Sequence, residues 1–157
     1  MELHLADKVT TIPQMRHFLA VKGYQGLRRR IESDVKGKRG LNALRAMADA
    51  MRSFAVGHPG LSAATFRSPT TDSPEWRQAH VELSQTAFRV FAELALEGEP
   101  VQKALRMLRS LIRGFVLNEK ATSFLEPPDY ERSFQLAIDA FIMGLPVFKS
   151  PMDRSVT

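Results

Sequence analysis

Helical spacing runs through almost the whole chain, and no other feature restricts the fold as much. Leu41, Leu44, Met47, Ala48, Met51, Phe54 and Ala55 recur at three- and four-residue steps, which places them on one face of a helix. Alternating runs of β-branched and aromatic residues between turn dipeptides are nearly absent, so sheet architectures are not expected. With 157 residues, 44% hydrophobic and 25% charged, the chain can bury one core. The spacing predicts an all-α domain of about six helices.

Breakers divide the pattern. The first clear helix starts after Gly40 and ends at Gly57-His58-Pro59-Gly60, where glycine accepts a left-handed cap and Pro59 lacks an N–H. A short helical turn, Leu61 to Phe66, and a loop, Ser68 to Ser73, should follow. Ser73-Pro74-Glu75 then opens a long helix with an N-cap, a first-turn proline and an acid on the positive end of the dipole. Its apolar side runs from Trp76 through Leu83 to Leu96, and Glu97-Gly98-Glu99-Pro100 closes it. Another helix is expected from Pro100 to Lys120. After a loop holding Pro127-Pro128, Asp129 caps a last helix from Tyr130 to Leu145, stopped by Gly144 and Pro146.

That last helix is apolar nearly all round, whereas a final helix on a small monomer should show a polar side. Burial against a second subunit accounts for it. Two copies would then pair their last two long helices as a four-helix bundle across a two-fold axis. The candidate interface residues are Leu108, Ile112, Phe134, Ile138, Phe141, Ile142 and Leu145. A monomer in which this helix is central is the competing reading.

Charge is unevenly placed. Residues 1–52 carry 11 Lys/Arg against 5 Asp/Glu, while the remainder is nearly neutral. Arg28, Arg29 and Arg30 are the candidate nucleic-acid contacts, since phosphate affinity comes largely from such side chains, with a solvated helix face as the alternative. There is no cysteine, which removes disulfides, thiolate metal sites and cysteine nucleophiles. His4, His17, His58 and His80 lack ligand spacing, so no metal and no cofactor are expected. Gly37, Gly40, Gly57 and Gly60 follow no strand and form no phosphate loop. No paired acid and base stand out, so the chain does not read as an enzyme. No apolar run reaches the ~20 residues of a membrane span, and Met1 to Ala6 is no signal sequence, so the expected compartment is the cytoplasm.

The remaining chemistry is a binding pocket inside the helices, since such sites are mostly apolar with a few polar groups. Met47, Met51, Phe54 and Phe66 are candidates to line it, together with Phe88, Phe91, Leu105 and Phe115. Trp76 and His80, with Gln85 and Arg113, are the candidate polar or edge contacts. The alternative for each apolar member is a place in the core.

The stretch from Gly40 to Ala55, the His58-Pro59-Gly60-Leu61 turn and the later Arg113-Gly114-Phe115 resemble the effector-binding and dimerisation half of TetR family transcriptional regulators. The resemblance covers roughly residues 23–148, leaving 1–22 as an N-terminal remnant and 149–157 as a tail. It implies a homodimer that takes a small apolar effector and, as a repressor or activator, moves two DNA-binding heads. In the family a three-helix head of about fifty residues comes first. Here Lys22-Gly23-Tyr24-Gln25-Gly26-Leu27 looks like the turn into the connecting helix, and Pro13 to Phe18 like a remnant of the recognition helix. The head is therefore expected to be absent or incomplete, through a late start, a truncation or true loss. The alternative function is a helical dimerisation or ligand-binding module acting on a partner protein.

Overall fold

The computed structural model describes residues 11–66, 73–121 and 129–149. His4, the loop residues from Ser68 to Asp72, Pro127-Pro128 and tail residues 150–157 lie outside them. In chain order the helices are α1 (Ile12–Val35), α2 (Gly40–Gly57), α3 (Pro59–Ala64), α4 (Pro74–Ala92), α5 (Glu99–Lys120), α6 (Tyr130–Met143) and α7 (Leu145–Lys149). No strand occurs among the described residues.

α1 departs from the sequence reading. Thr11 and Gln14 form a reciprocal capping box, the Thr11 Oγ1 accepting from the Gln14 N–H at 3.3 Å and the Gln14 Oε1 from the Thr11 N–H at 3.1 Å. From there the helix runs without interruption to Val35, so Lys22-Gly23 is no turn and the 22/23 boundary falls mid-helix. Gly23 has another purpose. A Cβ there would lie 2.6 Å from the Leu61 carbonyl oxygen and 2.7 Å from the Thr65 Cγ2, so only glycine lets α1 approach α3 this closely. One turn on, a Cβ at Gly26 would sit 3.0 Å from the Phe54 ring of α2.

α2 is the central element and touches α1, α3, α4, α5 and α6. Its Leu44, Met47 and Ala48 are wholly buried, with Phe91 of α4, Leu108 of α5 and Phe134 of α6 packed around them. Buried apolar groups of this size stabilise a fold by about 1.5–3 kcal/mol each relative to exposure. α4 begins as expected, the Ser73 Oγ accepting from the Trp76 N–H at 3.4 Å. It stops at Ala92, short of Leu96. Ala95 takes a left-handed φ of 54° and the Leu96 N–H reaches back to the Phe91 carbonyl, which tucks the Leu96 side chain into the core.

The last helix stops at Gly144 as expected, but α7 restarts directly after it with Pro146 in its first turn, where the missing N–H costs nothing. This region corrects the interface assignment. Leu108, Ile112, Phe134, Ile138, Phe141 and Leu145 are already buried inside one chain, so a second copy cannot remove them from water, and only Ile142, partly buried against the same core, keeps some surface to offer. The large apolar groups these helices leave exposed are Met107, Leu117, Leu136, Met143 and Val147.

Candidate ligand site

The tight α1–α3 crossing brings Tyr24 and Leu27 of α1 opposite α5, with a cavity of about 150 Å³ between them. Met51 and Phe54 of α2 form the floor, Thr65 and Phe66 close one side, and Leu83 of α4 another. α5 supplies Arg109, Ile112, Arg113, Val116 and Lys120. A smaller space of about 40 Å³ lies behind, reached by Ile31, His80 and Leu105. Both are bounded by Tyr24, Leu27, Met51, Leu83 and Arg109, so side chains alone separate them.

Polar groups are few and placed. The Tyr24 hydroxyl donates to the Thr65 carbonyl at 2.9 Å, and the Thr65 hydroxyl donates to the Ser62 carbonyl at 2.7 Å. This ties the end of α3 to the middle of α1. Tyr24 also meets His80 edge-on at 5.5 Å, and His80 stacks on Trp76 at 5.4 Å, an aromatic group joining α1 to α4. Burial raises the Tyr24 phenol above its ordinary value, outweighing the lowering by Arg109. Burial, with the positive charge of Arg109 adding to it, lowers the His80 imidazole, so it is neutral near pH 7. The Arg109 and Arg113 guanidinium carbons sit 5.3 and 4.5 Å from the centre of the Phe66 ring.

Of the residues singled out from sequence, Met51, Phe54, Phe66 and Arg113 line the main cavity, while His80 and Leu105 line the smaller one. Met47 and Phe91 do not: both are fully buried core. Phe115 packs edge-on against Phe134 at 5.5 Å, on the core side of α5. Phe88 and Gln85 border a separate open depression beside Leu96 and Val101. Trp76 backs His80 without reaching either cavity. The sequence reading passed over Tyr24, Leu27, Thr65, Leu83 and Arg109. Arg109 had a signal, since it stands one helical turn before Arg113.

The arginine triplet does not form a free basic patch. Arg28 pairs with Glu32 at 2.9 Å and with Glu82, clamping α1 to α4, and Arg30 pairs with Asp34 at 2.6 Å. Arg29 alone is exposed without an ion pair among the described residues. Of the histidines, His17 meets the Ser73 hydroxyl at 3.2 Å and His58 stacks on Phe54 at 4.8 Å.

The fold is that of an all-helical regulatory domain, organised around one central helix, with α1 and α5 facing each other across an apolar cavity. Residues 44–141 match the family described as tetracyclin repressor-like, C-terminal domain, and the chain belongs to the TetR family through that domain. This family domain is a regulatory body and does not define an enzyme family. A comparison with curated proteins found no match. No helix among the described residues is long and apolar enough to cross a membrane.

Proposed function

We propose that this chain acts in transcription regulation as the ligand-sensing and dimerising body of a TetR-like regulator, with residues 23–148 forming that body. The observation that carries the reading is the cavity between α1 and α5, lined mostly by apolar side chains in a domain of this family. About 150 Å³ suits a benzene-sized group, and the adjoining space would lengthen the site if Leu83 or Met51 turned aside. A ligand there presses on Tyr24 and Leu27. Because α1 is held to α3 at Gly23 and to α4 through Arg28, that pressure shifts a whole helix rather than one side chain. Such a ligand changes the output only if it binds one position of α1 better than the other.

Leu83→Trp, at the wall shared by both spaces, should fill them and abolish thermal stabilisation by apolar compounds. An apolar library that never raises the melting temperature of the parent chain, or one that raises that of Leu83→Trp equally, overturns the reading. For dimerisation, the apolar groups exposed on α5, α6 and α7 are the supporting observation, Met143 being 82% and Leu136 59% exposed. Sedimentation equilibrium should give a dimer mass; a monomer mass at every concentration removes this part. The regulatory output is tested by anisotropy of labelled duplexes from the gene's upstream region at several salt concentrations. Selective binding that survives salt supports direct DNA reading, and loss of all binding with salt refutes it for this chain.

A further inference from the structure

The cavity is apolar along its floor, yet α5 brings three cations to it, Arg109, Arg113 and Lys120, and no Asp or Glu lines either space. Positions 109, 113 and 120 recur at helical steps, so the three charges share one face of α5. The arginines that tie helices together elsewhere are paired with acids. Arg28, Arg30, Arg45 and Arg52 each reach a carboxylate. Arg109 and Arg113 are held by the face of Phe66, and Arg109 by one long hydrogen bond of 3.5 Å to the Thr65 carbonyl. None of the three cavity cations has an ion pair among the described residues.

A half-buried guanidinium beside apolar walls keeps most of its field, because little water is near to screen it. That field reaches inward, since the positive charge of Arg109 bears on both Tyr24 and His80. Both guanidinium groups lie against the Phe66 ring, and the planar fork of an arginine matches a planar acceptor such as a carboxylate. Building on the reading of this cavity as the ligand site, we propose that its ligand is an amphipathic carboxylate: a benzene-sized or short-chain apolar part on Met51, Phe54 and Leu83, and an acid group on Arg109 and Arg113.

The test is calorimetric titration of the full chain with octanoate and 3-phenylpropanoate, each beside its uncharged primary amide. The acids should bind at least about tenfold more tightly than the amides, as expected for a charge-assisted contact. Arg109→Gln should bring an acid down to the affinity of its amide. Should Arg109→Gln fail to fold, judged by its helical circular dichroism, Arg113→Gln at the exposed mouth carries the same test. Amides that match the acids in the parent chain overturn the carboxylate assignment while leaving the cavity as a ligand site. Acids that keep their advantage in both variants also overturn it, by placing the contact elsewhere. If neither acids nor amides bind, the cavity reading falls with it.

Discussion

Arg52 offers the sharpest test of how the wall of the cavity is held. Its side chain is only 12% exposed and makes a fork to Glu119 of α5, at 3.2 and 3.1 Å, while its third nitrogen reaches Glu131 of α6 at 2.6 Å. The guanidinium also lies 4.8 Å from the Phe134 ring centre. One residue of α2 therefore pins the C-terminal turn of α5, next to Lys120 and Val116, and the start of α6. Arg52→Met keeps the packed stem and deletes the charge. Removing one partner from a fully buried pair costs about 3–5 kcal/mol. An exposed pair is worth about 0–1 kcal/mol. Glu119 is 28% and Glu131 67% exposed, so both carboxylates regain water, and the loss should fall between these limits at about 2 kcal/mol. For a chain of this size that is a fall of about 4–8 °C in Tm. Urea unfolding of the two proteins measures it. A variant within about 0.5 kcal/mol of the parent would show that the fork adds nothing beyond an ordinary surface residue and would refute the reasoning. The pH dependence gives a second readout. Glu131 is held below its ordinary value of 4.5, first by the Gln135 amide and then by Arg52. Its contribution is full above that value and is lost as pH falls through the lowered one, so Arg52→Met should flatten that part of the acid limb.

Ala95→Gly should stabilise the chain by about 1 kcal/mol, because Ala95 sits at a left-handed φ that penalises a Cβ; an unchanged or lower urea midpoint counts against this. Leu136→Glu, on the exposed side of α6, should weaken the proposed dimer and leave the fold intact, whereas Ile138→Arg buries an unpaired charge and should unfold the chain. Sedimentation together with circular dichroism separates these outcomes, and a folded monomer from Ile138→Arg would contradict the burial argument. His80 is lowered from 6.5 by burial and then by Arg109. Below that pH the unfolded chain takes up the proton before the folded one, so stability should decline as pH falls through 6.5 toward the lowered value. His80→Leu should flatten this decline in Tm, and an equal slope in both proteins would remove His80 as its source.

Where local chemistry decides, the sequence was sufficient. Ser73-Pro74, Asp129 and the Gly57-His58-Pro59 stop mark helix ends because a cap needs only its own neighbours. The three- and four-residue spacing likewise gave the all-α class, and the Gly40–Ala55 and Arg113–Phe115 strings the family. Much of the site was not legible, because periodicity gives the direction of an apolar face without naming what it meets. Met47 and Met51 are one turn apart, yet one is core and the other cavity floor, a difference made by which helix crosses above each. Gly23 reads as a turn until α3 lies on it, and nothing in the sequence pairs Arg28 with Glu82, 54 residues away. Tyr24 and Thr65 are 41 residues apart, and Arg52 and Glu131 are 79 apart. The sequence by itself determined where helices start and stop and which side of each is apolar. Only the tertiary structure decided which apolar groups close on each other and which leave a space, since pairs so far apart meet only once every helix is packed.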